Sequence, residues 1–299
     1  MIFTRDRQWS MSGTTLELCG GACADSMVMQ MAPVSARFWG RADPQSNVTI
    51  ELQPPGKPAW RQSVLSDAAG DWAVQLPPQP ASFNYSLLVL TNGQSARITD
   101  VAFGAVLLCA GQSNMEFGLS GSDVDPDTIN GESLRLFRPD HLSAPNATVE
   151  RFTWGHSWDG SPGCTDRCGT PWVRASTAHE ATRSFSAVCI STALHLMEKL
   201  ASVPFGLVQV AWGGTRIEAW MSPDALSKCP GTGTAKCGPP LPAGGPSGWE
   251  RMNSTNSGNM CSADYRGMLH LLLPMAFNAM IWYQGEVRCG RPAPLPAPH

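Results

Sequence analysis

The sequence predicts an α/β protein in which a parallel β-sheet with helices follows a small β-sandwich. The hydrophobic pattern changes period near residue 101, from short alternating runs to continuous apolar runs. Beyond that point, strand-like runs alternate with a helical pattern, which is typical of parallel sheets with right-handed crossovers. We therefore expect a β-sandwich-like accessory domain at 1–100, an α/β domain at 101–287 and a Pro-rich tail at 288–299.

The first hundred residues contain short apolar–polar runs between turn signals, a spacing that suits a small sandwich. Its predicted strands are Val34–Trp39, Val48–Leu52, Trp72–Leu76 and Tyr85–Leu90. Nothing in this part has a catalytic pattern, so we interpret it as a structural or glycan-facing domain.

The α/β part combines buried strands with one amphipathic helix. Continuous apolar runs predict strands buried on both faces; these are Val106–Ala110, Phe205–Trp212 and Met275–Tyr283. Helical spacing covers residues 184–200, with Ser184 as the expected N-cap. Residues 119–180 and 228–263 are rich in Ser, Gly and Pro, and we expect them to be loop insertions.

Composition excludes several classes of function. The chain has 299 residues, of which 15% are charged, and a net charge of −3, so it lacks the basic footprint of a nucleic-acid-binding protein. No apolar run reaches the ~18 residues of a membrane span. Ten cysteines and four N-x-S/T sequons, at Asn47, Asn84, Asn146 and Asn253, favour a secreted protein or one in the lysosomal or endomembrane lumen. No signal peptide is visible at the start.

Each of the three predicted strands ends in a small polar motif. The first strand is followed by Gly111, Gln112 and then Ser113. Gly213 and Gly214 follow the second strand, and Gln284 follows the third. Ligands bind beyond the carboxyl ends of strands in such sheets, so we expect these groups to converge. A Ser at a tight turn, backbone N–H groups and an amide donor are the parts of a nucleophilic site with an oxyanion hole.

These residues resemble the conserved blocks of the sialate O-acetylesterases, which are SGNH-type serine esterases. The matching segments are CAGQSNM (Cys109–Met115), WGGTRIEAW (Trp212–Trp220) and IWYQGE (Ile281–Glu286). The amino-terminal half is similar too, in SMVMQMAP (Ser26–Pro33) and RFWG (Arg37–Gly40). The resemblance implies an SGNH-like fold after a leading β-domain, and removal of O-acetyl groups from sialic acid without cofactor or metal.

The resemblance also implies roles for individual residues. Ser113 would be the nucleophile, and its own backbone N–H, a Gly of the second block and Gln284 would form the oxyanion hole. We favour Gly214 over Gly213 for the Gly arm. The supporting residues would be Gly111, Gln112, Asn114 and Glu286, with Asn114 fixing the turn and Glu286 hydrogen-bonding neighbouring loops.

The sequence departs from the family at its carboxyl end. The family's general base is a His in an Asp-x-x-His motif after the third block, and no such motif follows Glu286 in the remaining thirteen residues. We therefore expect a truncated chain whose activity is very low. His270 is the best substitute by position, but we interpret it as a packing or hydrogen-bonding residue and do not assign it as the base.

The cysteines favour disulfides over a metal site. Cys164 and Cys168 have C-x-x-x-C spacing without a second ligand pair, and Cys229 and Cys237 lack a partner motif too. We expect loop disulfides at these positions and a free core thiol at Cys109.

Two other functions stay open at this stage. The same chemistry would serve an acetylxylan-type deacetylase acting on a plant polysaccharide. The chain could also be a non-catalytic glycan-binding protein or an inactive esterase fragment. In each case the expected partner is a sugar, with no nucleic acid and no membrane.

Overall fold

A computed structural model of the chain describes residues 16–125, 128–144, 148–154, 169–176, 178–228 and 260–285. Within these residues the strands are β1 (Glu17–Leu18), β2 (Val28–Gln30), β3 (Arg37–Arg41), β4 (Asn47–Gln53), β5 (Trp60–Leu65), β6 (Asp71–Gln75), β7 (Ser82–Thr91), β8 (Gln94–Gly111), β9 (Leu134–Arg138), β10 (Thr170–Arg174), β11 (Phe205–Ala211) and β12 (Ala279–Tyr283). The helices are α1 (Ser113–Glu116), α2 (Glu180–Arg183), α3 (Ala187–Met197), α4 (Ile217–Trp220) and α5 (Pro223–Ser227). A π-helical turn covers Tyr265–Leu269, and 3-10 turns cover Cys19–Gly21, Leu119–Gly121 and His270–Leu272.

The eighteen-residue strand β8 connects both halves of the fold. Its first part pairs antiparallel with β7, and its carboxyl half pairs parallel with β11 and β12. The main sheet therefore has the order β10-β9-β11-β8-β7-β4-β5, with β2 and β12 also paired to β8. The expected division at residue 100 falls inside this strand, where the pairing partners change.

The amino-terminal half is built in two layers. A three-stranded sheet, β1-β3-β6, packs against the part of the main sheet that β4, β5 and β7 form. Both layers contribute to one core, with Phe38 and Trp72 on one side and Ile50 and Leu87 on the other. The predicted sandwich is confirmed in this respect, and β1, β2 and β5 are strands that the sequence analysis did not identify.

The carboxyl half has an apolar core on each face of its sheet. Alternate side chains of β8 divide between the two cores: Leu107 and Cys109 pack toward α3, and Val106 and Leu108 face the opposite core. Because both faces are covered, the strand is a continuous apolar run, as the sequence indicated. The α/β fold class is confirmed, within a sheet that is mixed because β10 runs antiparallel to β9.

The expectation that residues 119–180 form only a loop insertion is wrong. They contain β9, which pairs parallel with β11, and β10. β9 contains two arginines, so its sequence is not a continuous apolar run, although both side chains are buried. Arg138 donates to the carbonyl oxygen of Ser184 at 2.8 Å and to its hydroxyl at 3.0 Å. Arg135 is neutralised by Asp100.

Two local expectations are also corrected. The N-cap of α3 is Ser186, whose hydroxyl accepts from the Cys189 N–H, whereas Ser184 ends α2 and donates to Glu180. Cys109 is not a free thiol, because it forms a disulfide with Cys189 that ties β8 to α3.

Several expectations concern residues outside the described ranges. These are Cys164, Cys168, Cys229, Cys237, Asn146, Asn253, most of 228–263 and the tail 288–299. A second described disulfide joins Cys19 to Cys23. None of the helices in the described part of the chain is long and apolar enough to cross a membrane.

A partly buried ionic cluster holds β8 where its pairing partners change. Asp100 has a positive φ of 55° and receives hydrogen bonds from Ser26 at 2.7 Å and from two arginines. Arg174 donates at 2.9 and 3.0 Å, and the fully buried Arg135 donates at 3.0 Å. Burial alone would raise the pKa of Asp100, but the bonds from Arg174 and Ser26 and the charge of Arg135 outweigh it and lower the pKa.

We expect Asp100→Asn to destabilise the fold by about 3–5 kcal/mol, because it leaves the buried Arg135 without a counter-ion. The lowered pKa means that the ionised carboxylate stabilises the folded chain above the ordinary Asp value of 3.8. This stabilisation should be lost as the pH falls through the folded-state pKa, so the wild-type advantage over the variant should shrink in acid. Urea unfolding at pH 7 and below pH 4 measures both effects.

Asp224→Asn is the matched control, since Asp224 forms only an exposed pair with Lys228. Its unfolding free energy should change by less than about 1 kcal/mol. If the two variants lost equal stability, Asp100 would not have the structural role assigned here.

Candidate active site

The Ser113 hydroxyl lies at a sharp turn between β8 and the short helix α1. β8 ends at Gly111, Gln112 keeps extended dihedral angles, and Ser113 begins the helix as an exposed residue. Gly111 has a φ of 145°, and a Cβ there would lie 2.1 Å from the carbonyl oxygen of Tyr283, so only glycine allows the two strands to approach. The described hydrogen bond of the Ser113 hydroxyl goes to Gln112 Oε1 at 3.3 Å.

The second motif lies directly beside Ser113. β11 pairs in parallel with β8 so that Ala211 is opposite Gly111, which brings Gly213 against the turn. A Cβ built on Gly213 would be only 3.4 Å from Ser113 Cβ, so the two residues lie side by side. Gly214 follows with a left-handed φ of 79°.

The N–H of Gly213 is already used by a buried carboxylate. It donates to Glu116 Oε2 at 2.7 Å. An oxyanion would have to compete with this charged acceptor for the same hydrogen. The choice of Gly214 for the Gly arm stays a prediction.

The third motif is aligned with the same strand end. β12 pairs in parallel with β8 with Tyr283 opposite Gly111, and the Gln112 N–H donates to the Tyr283 carbonyl at 3.0 Å. Gln284 follows Tyr283 directly, so it begins at the same level of the sheet as the Ser113 turn. Its side chain is half-buried. Its hydrogen-bonding reach to the Ser113 hydroxyl stays a prediction. Glu286 lies outside the described residues.

Glu116 and His141 are site residues that the sequence analysis missed as a pair. Glu116 is 4% exposed, and its second oxygen, Oε1, lies 3.2 Å from His141 Nε2. The same nitrogen lies 3.0 Å from the Ala211 carbonyl oxygen. Both neighbours accept, so Nε2 carries a hydrogen. The imidazole also stacks on Trp212, with centroids 4.5 Å apart.

Glu116 and His141 together hold the second motif in place, through the Gly213 N–H and the Ala211 carbonyl oxygen. Glu116 is three residues after Ser113 and so lies on the same helical turn, which was the available signal in the sequence. The sequence around His141 gave no signal, because its partners Glu116 and Ala211 are far away along the chain.

The described histidines do not include a base on Ser113. His270 is half-buried, contacts the Tyr265 ring and lines a groove of the amino-terminal half. His179 caps α2 by accepting from the Ala181 N–H, and His195 lies on α3. His156 and His299 lie outside the described ranges.

Three other residues of the motifs differ in their exposure to solvent. Asn114 is exposed on α1, next to Ser113. Trp212 and Trp220 are buried, and the Trp220 N–H donates to Thr215 at 2.9 Å. These two rings are therefore core residues and not faces on which a sugar can stack.

Comparisons with known proteins agree with this geometry. The chain is 27% identical over 271 residues to a sialate O-acetylesterase from Homo sapiens, covering 88% of this chain and 47% of the human protein. It is 28% identical over 283 residues to the sialate O-acetylesterase from Mus musculus, covering 87% of this chain and 50% of the mouse protein. The predicted resemblance to the sialate O-acetylesterases is confirmed.

A solved structure supports the same relationship. The crystal structure of a carbohydrate acetylesterase from Xanthomonas citri matches with a TM-score of 0.66 at 29% identity, over 91% of this chain and 51% of that chain. No family model matches the sequence. The chain spans about half the length of the sialate O-acetylesterases that it matches.

We expect Glu116→Gln to destabilise the chain by about 1–3 kcal/mol, because a side-chain amide has one acceptor oxygen for two donors. Its NH₂ group would face either Gly213 N–H or His141 Nε2–H. Chemical unfolding measures the loss. Glu180→Gln is the control, since Glu180 pairs with Arg183 at the surface; a loss as large in that variant would contradict the buried role of Glu116.

Proposed function

We propose that this chain is a serine esterase of the carbohydrate type, and that it removes O-acetyl groups from sialic acid. The observation that carries the proposal is that three strands end at the same level of the sheet, beside one exposed hydroxyl. Ser113 follows β8, the Gly213-Gly214 turn follows β11 and Gln284 follows β12. The names of the related proteins support the acetyl ester as the bond that is cleaved.

The chemistry follows from the groups at these strand ends. The Ser113 oxygen attacks the acetyl carbonyl carbon, and the carbonyl oxygen becomes an oxyanion. The N–H groups of Ser113 and Gly214 and the Gln284 amide are the proposed donors to that oxyanion, each contributing about 3 kcal/mol in the transition state. The intermediate collapses, the bond between the acetyl carbon and the sugar oxygen breaks, and that oxygen takes up the proton that Ser113 lost and leaves as a hydroxyl. Water then hydrolyses the acetyl-Ser113 ester and releases acetate.

The described residues supply no base that removes the proton of the Ser113 hydroxyl. Its hydroxyl bonds to a Gln oxygen, which is too weak a base to remove the proton. In the resembling family a His performs this task. The proposal therefore includes low activity for the 299-residue chain, because Ser113 attacks without the general base that typically contributes about 10²–10⁴-fold to the rate.

The disulfides support an oxidising compartment as the place of action. Cys109–Cys189 joins the central strand to a helix, and Cys19–Cys23 closes a turn near the start of the described chain. Such bonds persist in secreted and lumenal proteins. We propose a secreted or lysosomal location on this basis.

We expect the purified chain to hydrolyse an aryl acetate slowly, and Ser113→Ala to abolish even that activity. Ser63→Ala is the matched control, since Ser63 is an exposed serine on β5 outside the Ser113 turn, and it should leave the turnover unchanged. Release of acetate from O-acetylated sialic acid and from acetylated xylan then separates the two substrate classes. Turnover in the ordinary enzymatic range of about 1–10³ s⁻¹ would show that a base exists within these residues.

Equal hydrolysis by wild type and Ser113→Ala would contradict the proposal. A fluorophosphonate probe gives a second, independent readout because it labels activated serines. Labelling at Ser113 supports an esterase, and a complete lack of both labelling and hydrolysis favours a non-catalytic glycan-binding protein.

A further inference from the structure

A second polar groove lies in the amino-terminal half, away from the Ser113 turn. Its volume is about 510 Å³, within the ~300–1,000 Å³ of small-molecule sites. It is formed by β1, β3, β6, residues 148–150 and the turn that begins at His270. Ser113, Gly213, Gly214 and Gln284 are not among the described residues that line it.

The floor of the groove is the outward face of β3. Alternate residues of this strand, Arg37, Trp39 and Arg41, point out of the core, while Phe38 is fully buried. The cross-strand partner of Trp39 is Ala73, which has a small side chain, and the indole is half-buried. On this face of β3, Trp39 comes between two arginines in the order of the strand.

The groove offers hydrogen-bond donors and acceptors that are not fully used among the described residues. The exposed Arg37 guanidinium has no described ion pair. Arg37 can donate and the carboxylates of the groove can accept, so a ligand with several hydroxyl groups would find partners of both kinds.

The charge balance restricts what can bind. Four carboxylates line the groove, from Glu17, Asp67, Asp71 and Glu150, against two guanidiniums, Arg37 and Arg41. Arg41 is engaged by Asp71 at 3.0 Å and by Glu150 at 3.3 Å. Burial raises the pKa of Glu17, although Arg151 and Arg41 oppose this rise. An anion would meet an excess of negative charge here. A cation on Trp39 would lie near Arg37 and Arg41, which share that face of β3, so an uncharged ligand is favoured at this ring.

We propose that this groove binds one uncharged pyranose ring of a glycan. The apolar face of the sugar would lie on Trp39, because an indole offers a flat apolar surface with polar groups at its margin. The hydroxyls would reach Arg37 and the carboxylates that surround the ring. The proposal does not depend on the esterase chemistry, since it concerns a different surface and different residues.

Titration of the full 299-residue chain with neutral methyl pyranosides tests the proposal. The probes are the methyl glycosides of glucose, galactose, mannose and N-acetylglucosamine, with methyl α-N-acetylneuraminide as the anionic comparison. Saturation-transfer NMR detects binding, and ¹⁵N-labelled indole resonances report which Trp is affected. We expect saturable binding of at least one neutral glycoside, a shift of the Trp39 indole signal, and weaker binding of the anionic sugar.

Two variants locate the site. Trp39→Ala should weaken binding about tenfold or more, and Trp39→Phe should restore part of it because it keeps a ring. Arg37→Ala changes an exposed side chain, so it should weaken binding without endangering the fold. Trp60→Ala is the matched control, a half-buried Trp on β5 that does not line the groove.

Ser113→Ala separates this proposal from the proposed function. It should leave glycoside binding unchanged whether or not the chain hydrolyses esters. Failure of every neutral glycoside to bind would overturn the proposal, as would binding that survives both Trp39→Ala and Arg37→Ala. Preferential binding of the anionic sugar at Trp39 would overturn the charge argument and with it the assigned ligand class.

Discussion

Strand β8 fixes the candidate site because its neighbours align with it at the same level. Ala211 of β11 and Tyr283 of β12 both pair with Gly111, so the segments that follow these strands start from one edge of the sheet. The close approach at Gly111 allows this, since its missing side chain leaves room for the Tyr283 carbonyl. Without a common end point, the Ser113 hydroxyl, the glycine turn and Gln284 would be three unrelated loops.

Two carboxylates, the partly buried Asp100 and the buried Glu116, hold β8 where its pairing partners change and at its carboxyl end. Asp100 neutralises Arg135 and Arg174 where the pairing partners of β8 change. Glu116 accepts from the Gly213 N–H and faces His141 at the other end. Each carboxylate has several donors, which is the condition under which a buried charge is tolerated. Such fixed polar networks keep a site rigid when the groups themselves do no chemistry.

The sequence was sufficient for those parts of the fold that have a local signature. The buried runs before Gly111, Gly213 and Gln284 predicted three strand ends, and the motifs after them indicated the chemistry. Other parts depend on distant partners. Glu116 meets Gly213 across 97 positions, and Cys109 meets Cys189 across 80. β9 contains buried arginines whose counter-ion and hydrogen-bond acceptors lie on other elements, so its apolar pattern was incomplete.

The central position of β8 also determines the order in which the chain can fold. Its main chain at Val106 is hydrogen-bonded to Asn278, 172 positions later, and β11 arrives only about one hundred residues after it. Contacts between such distant segments close slowly, because a long loop must be ordered first. During synthesis, the amino-terminal layers can assemble around the first half of β8 while its apolar second half waits for partners. In that interval chaperone binding and aggregation compete with folding.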